Sequence, residues 1–207
     1  MNVHGTPDEL YKLFSQDLGW SRAEARTRAM RGQLLMWQRA LLYTLARGYN
    51  KRGCKALEIG TLFGNTAGLL CMAMDHAEIT TLNPALHEAE QAALNLAQFY
   101  QITVKPIKSW DYLTADATTY DLIFVDGDHN AIARDLPWFA RLRVGGLIVF
   151  HDYSPRDARV PCYPVFDAVN AMAAALGRDL DITAADTDRV GMAGLIRREG
   201  ETWPMPR

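Results

Sequence analysis

The sequence predicts an α/β protein built on a doubly wound, mostly parallel sheet of about seven strands, and three observations carry that expectation. From Lys55 onward, short apolar runs alternate with stretches of helical periodicity. The runs DLIFV and GGLIVF are apolar without interruption, as strands covered on both faces are. Polar residues gather where the runs end, and the carboxyl ends of such strands are where an open α/β sheet binds its ligands.

Taken in order, two helical patterns come first. One covers Thr6 to Leu18, with Leu10, Leu13 and Phe14 at helical spacing. The other runs from Ser21 to Arg47, and Ser21 followed by Glu24 has the form of a capping box. Gly48 to Gly53 breaks that pattern. KALEIG is the first strand and TAGLLCMAM its helix. EITTL is the second strand, after which Pro84 opens a helix that continues to Gln101. ITVKPI, DLIFV and GGLIVF follow as the third, fourth and fifth strands. Between the last two, AIARDLPWFARL is helical, with Pro137 at a turn or kink. Val165 to Leu176 is the last helix, and DITAA and GMAGLIRR close the sheet as an antiparallel pair. The tail ETWPMPR carries no element signal and is expected to fray.

A chain of 207 residues suits one domain that can bury a large core. At 49% hydrophobic, 22% charged and a net charge of -2, its composition is that of an ordinary globular protein, with no electrostatic reason to bind nucleic acid or a membrane surface. Cys54, Cys71 and Cys162 are far apart and form no CxxC pair, which argues against structural disulfides and for a reducing, cytoplasmic setting. No run approaches the roughly 18 apolar residues of a membrane helix. A small-molecule substrate is the expected partner, and a homo-oligomer stays open.

The strand ends carry Glu58-Ile59-Gly60-Thr61, Asn83, Lys108-Ser109-Trp110, Asp126-Gly127-Asp128-His129 and His151-Asp152-Tyr153. In the first of these loops Gly60 allows close backbone approach to a ligand, and Gly64 lets the following helix start tightly at Asn65. The spacing E-x-G-x-x-x-G is neither the dinucleotide fingerprint nor a phosphate-binding loop with its lysine. A loop led by a carboxylate suits a cationic ligand better than a pyrophosphate.

Four blocks, LEIGTLFGNTA, TTLNP, DLIFVDGDHN and GGLIVFHDY, are together similar to class I S-adenosylmethionine-dependent methyltransferases. The resemblance is to the branch with DGDH and HDY signatures that includes sugar and antibiotic O-methyltransferases. It spans Cys54 to Arg197 and implies a Rossmann-like methyltransferase fold over 51–207, with 1–50 as a helical cap or lid. It also implies S-adenosylmethionine as cofactor. Glu58, Gly60, Thr61, Gly64 and Asn65 then surround its methionine part. Asn83 stands where the family usually holds the ribose through an acidic residue, a departure that leaves only neutral hydrogen bonds. Ser109 and Trp110 flank the adenine, Trp110 offering a stacking face.

At the catalytic end Asp126 is a metal ligand or an organiser of the substrate side, while Asp128 has the alternative of capping the next helix. His129 is the expected general base, because an acceptor hydroxyl must lose its proton as it attacks and imidazole titrates near neutral pH. In the related catechol-type enzymes a lysine at this spacing does that work. Asp126 and Asp152 would face each other across adjacent strand ends as an oxygen-rich site for Mg2+ or Mn2+. His151 has three readings: a ligand to a borderline metal, a second acid or base, or a hydrogen-bond partner. Met30, Arg31, Gln33, Met36 and Trp37 are lid candidates that compete with ordinary core packing, and Tyr153, Arg156, Arg159 and Tyr163 are candidates for an acceptor pocket. The function so implied is O-methylation of a small-molecule or sugar hydroxyl. Its rivals are a nicotinamide-dependent dehydrogenase and a cofactor-binding protein of the same fold without catalysis.

Overall fold

The computed structural model describes residues 1–154, 158–160, 162–186 and 190–203, so Arg156 and the last four residues of the tail lie outside the described residues. The elements are β1 (Asn2–Gly5), α1 (Pro7–Phe14), α2 (Trp20–Thr27), α3 (Met36–Arg47), β2 (Lys55–Ile59), α4 (Asn65–Ala73), β3 (Glu78–Leu82) and α5 (Leu86–Asn95). They continue with β4 (Ile102–Lys105), α6 (Ser109–Ala115), β5 (Tyr120–Val125), two 3-10 helices (His129–Arg134 and Leu136–Arg141), β6 (Leu142–Tyr153), α7 (Tyr163–Ala175), β7 (Ile182–Asp186) and β8 (Gly191–Ile196). The strands form one sheet in the order β1-β7-β8-β6-β5-β2-β3-β4. Only β8 runs against its neighbours β6 and β7 among the described residues. The expected α/β class and largely parallel sheet are therefore present, with eight strands rather than seven. The extra strand, NVHG, has no apolar alternation for a sequence pattern to register, and it pairs parallel with β7 at the sheet's edge.

The period of two along the central strands sorts their side chains into two cores. Ala56, Leu122, Phe124, Leu147 and Val149 point to one face, where Trp20, Trp37, Leu41, Leu69 and Leu70 cover them. Leu57, Ile123, Val125, Ile148 and Phe150 point to the other, under Trp138, Phe139, Val165 and Val169. No helix among the described residues is long and apolar enough to cross a membrane.

Several boundaries differ from the sequence expectation. The region expected as one helix from Ser21 to Arg47 is two helices separated by Arg28–Leu35. The break has a tertiary cause. The Asn65 amide donates to the carbonyls of Thr27 at 2.9 Å and Met30 at 2.8 Å, satisfying groups that a continuing helix would bond itself. The Ser21–Glu24 capping box does not form, because α2 already starts at Trp20 and Glu24 pairs with Arg39 at 2.7 Å. The helix expected after Pro84 is confined to Leu86–Asn95, and AIARDLPWFARL winds as two 3-10 helices with Pro137 at the start of the second.

Arg39 ties this region together. Its guanidinium, buried on α3, donates to Glu24, to the Thr27 hydroxyl at 2.6 Å and to Asn65 Oδ1. Replacing it would leave a carboxylate and an amide oxygen without their donor. Arg39→Leu is expected to lower stability by about 3 kcal/mol, read as a smaller urea midpoint at unchanged slope.

Candidate active site

A cavity of about 260 Å³ opens where β2, β3 and β5 end. Its walls are the loop Gly60–Leu62 with Asn65 and Thr66, then Asn83, Pro84 and Glu88 beyond β3, and Asp126–Asp128 beyond β5. Arg31, Gly32 and Gln33, from the break between α2 and α3, complete it. The break that sequence periodicity concealed thus supplies one wall.

The glycine loop is shaped by the fold before any ligand is considered. Gly60 has φ of +102°, and a Cβ there would lie 2.0 Å from the Asp126 carbonyl oxygen. The close approach that Gly60 permits here is that of the backbone just beyond β5, and Gly60 also lines the cavity. Gly64 caps α4 at φ of +89° and gives way to Leu96 in the same manner. Leu62 is also left-handed, at φ of 48°. Within the loop the Thr61 and Thr81 hydroxyls bond each other, and Thr81 donates to Glu58. Glu58 is fully buried with Oε1 unpartnered, and burial pushes its carboxyl up to about 8.

The other residues expected around a cofactor divide. Asn65 lines the cavity, but its amide is committed to Thr27, Met30 and Arg39, so it holds the Arg31–Gln33 wall in place. Asn83 lines the cavity with its amide bonded to Ala85 and Glu88. Ser109 and Trp110 do not line it. The Ser109 hydroxyl donates to Asp135, and Arg134 stacks 4.8 Å from the centre of the Trp110 ring.

The catalytic candidates do come together, through an irregularity. His151 and Asp152 were expected after the fifth strand. They lie within β6, where the pairing with β8 slips between His151 and Tyr153 and Asp152 takes φ of 57°. In a regular strand adjacent side chains point to opposite faces. This bulge lets both reach the same cluster, and a non-glycine residue in the left-handed region costs energy that functional sites commonly bear. Asp152 Oδ2 lies 2.5 Å from His129 Nε2 and 3.2 Å from His151 Nδ1, and Asp126 Oδ1 lies 2.9 Å from that same Nδ1. Asp128 is the cap of the first 3-10 helix, accepting from the Asn130 amide at 3.0 Å.

The charge on His151 follows from its partners. Gln38, on α3, donates through Nε2 to the Val190 carbonyl and accepts at Oε1 from the Leu35 amide, which fixes its amide orientation. His151 Nε2, 3.1 Å from that Oε1, must donate to it. Nδ1 faces two carboxylates and must donate as well, so the ring is an imidazolium. Burial opposes the charge, but Asp126 and Asp152 outweigh it and raise the ring to about 10. In this arrangement His151 bonds Asp126 and Gln38 through its two ring nitrogens. His129, half-exposed, is raised by its bond to Asp152 against a smaller effect of burial. Burial pushes the Asp152 carboxyl up, but hydrogen bonds from both imidazoles hold it well below the usual carboxylate range. Sequence reasoning missed Gln38 and Glu88. A glutamine inside the apolar run LLMWQRALL was the available signal for the first.

Comparison with known proteins bears on the matched region directly. The sequence model of a family described as a methyltransferase domain matches residues 57–153, from the glycine loop through the bulge. That stretch of the chain is similar to a methyltransferase domain. No curated protein matches the sequence. Among solved structures, a cofactor-bound protein from MTB, Rv0187, is 23% identical with a TM-score of 0.68, covering 94% of this chain and 99% of that one. The O-methyltransferase TomG of Streptomyces achromogenes, solved with S-adenosylmethionine, is 22% identical with a TM-score of 0.66, covering 91% and 96%. An O-methyltransferase of Bacillus cereus in complex with S-adenosylhomocysteine is 18% identical with a TM-score of 0.66, covering 91% and 97%. At these identities the likeness is one of fold, which this chain shares almost end to end.

The Gly60 crossing yields a direct test. Gly60→Ala puts a methyl group against the Asp126 carbonyl at a positive φ, and should destabilise the domain by about 3 kcal/mol or more. Equilibrium denaturation with an unchanged midpoint would contradict the crossing.

Proposed function

We propose that the protein methylates a hydroxyl group of a small molecule or sugar, using S-adenosylmethionine, with His129 as general base. The observation that carries this reading is the 2.5 Å contact between His129 Nε2 and Asp152, next to a cavity walled by the glycine loop. Asp152 accepts from Nε2–H, which leaves Nδ1 as the free nitrogen that can take the acceptor's proton. His151 and Gln38 fix Asp126 and Asp152 from behind, so the dyad is held before substrate arrives. The partial exposure of His129 suits a group that meets the acceptor.

The cofactor fit rests on Glu58 and the loop. S-adenosylmethionine would supply the methyl group and bring two positive charges. Glu58 lies behind the loop rather than on the cavity wall, and its unpartnered oxygen would offer such a cation a negative charge at short range. Residues 1–50 act in this reading as a cap on the domain 51–207, since Arg31–Gln33 close one side of the cavity.

A divalent ion also fits the donor set. One ligand atom each from Asp126, His129 and Asp152 lie within 4.8 Å of one another. Asp126 and Asp152 would hold Mg2+ or Mn2+, and when bound the ion would ease deprotonation of the acceptor.

Two experiments test this reading. His129→Ala should cut turnover about 10²–10⁴-fold while S-adenosylhomocysteine binds as before. Near-normal turnover would remove the base assignment, and wild-type turnover indifferent to a strong chelator would remove the metal. The second uses Glu58, whose raised pKa means that it is largely protonated below about pH 8 in the free protein. A cationic cofactor favours the ionised form, so affinity should rise with pH up to about 8 and weaken below it as the carboxyl protonates. Calorimetry on Glu58→Gln should show that pH dependence flattened.

A further inference from the structure

The second strand of the parallel core, β3, ends at Leu82, and Asn83 stands next. In doubly wound α/β folds this position faces the ribose of an adenosine-containing cofactor and is commonly acidic. A vicinal diol offers two O–H donors, which the two oxygens of a carboxylate meet together. A carboxamide has a single acceptor oxygen and no charge. In this chain that oxygen is already in use, since Asn83 Oδ1 accepts from the Ala85 amide at 3.1 Å. Its Nδ2 donates to Glu88 Oε2 at 2.9 Å.

Glu88 is a carboxylate on the same wall of the cavity, in the first turn of α5, where the helix N-terminus favours a negative charge. The cavity's other two carboxylates are committed elsewhere, Asp126 to His151 and Asp128 to its cap. Besides the Asn83 amide, the near partner of Glu88 is the exposed His87 ring at 3.9 Å, and its side chain keeps 27% exposure. We propose that Glu88 is the ribose-binding carboxylate of this protein, taking the 2′- and 3′-hydroxyls, and that Asn83 is a positioning residue acting through it. The proposal rests on the reading that the cavity takes S-adenosylmethionine.

The test is calorimetry on the full chain with S-adenosylhomocysteine and its 2′-deoxy analogue. Wild type should prefer the natural compound by roughly tenfold. Glu88→Ala and the isosteric Glu88→Gln should lose roughly tenfold in affinity for S-adenosylhomocysteine and bind the two compounds alike, with unchanged melting curves confirming the fold. Asn83→Asp should also weaken binding, because it removes the donor to Glu88 and sets two carboxylates against each other. Discrimination retained in Glu88→Gln, or tighter binding in Asn83→Asp, would overturn the proposal and return the ribose to the strand end. A wild type that binds neither compound would overturn the cofactor reading as well, so the two failures are distinct.

Discussion

The contact on which the site depends is between two backbones. The Asp126 carbonyl passes so close to Gly60 that no side chain fits between them. The Asp126 amide in turn donates to the Ile59 carbonyl at 2.8 Å. The turn after β2 and the turn after β5 are therefore one rigid unit. One carries the loop that walls the cavity, and the other carries Asp126, which bonds the buried His151. Their separation is set by main-chain packing, and side-chain rotamers have little freedom to alter it.

A second layer behind that unit is electrostatic. His151 is buried between two carboxylates and a glutamine oxygen, and its partners leave it no neutral tautomer. The positive ring offsets the charge of Asp126 and Asp152, which would otherwise repel each other across adjacent strand ends. Gln38 reaches this ring from α3, so a helix that precedes the central strands takes part in fixing the charge at their carboxyl ends.

What the sequence made legible follows from the range of the forces involved. DLIFV and GGLIVF are apolar on both faces, and their burial could be read from composition alone. The residues at the strand ends followed from the alternation of elements. Features made by distant partners stayed hidden. Asn65 ends α2 from a position 38 residues away in the chain, and no local pattern announces that. NVHG becomes a strand because β7 offers it an edge. The bulge at Asp152 is a disagreement of register between two strands, so HDY taken alone cannot reveal it. Glu88 carries no signal of its own in the sequence, because it lines the cavity from the first turn of the next helix and not from a strand end.

The pairing of β1 with β7 has a consequence for how the chain acquires its shape. Asn2–Gly5 lie against Thr183–Asp186, so this strand cannot pair until a segment far later in the chain is present. Of the helices, α1 packs against that edge strand, and α3, which carries the glutamine that holds the imidazolium, packs on α1 and α4. Gln38, which holds the imidazolium, is itself held by the Val190 carbonyl beside β8, so that ring gains its full set of partners only with the last hairpin in place.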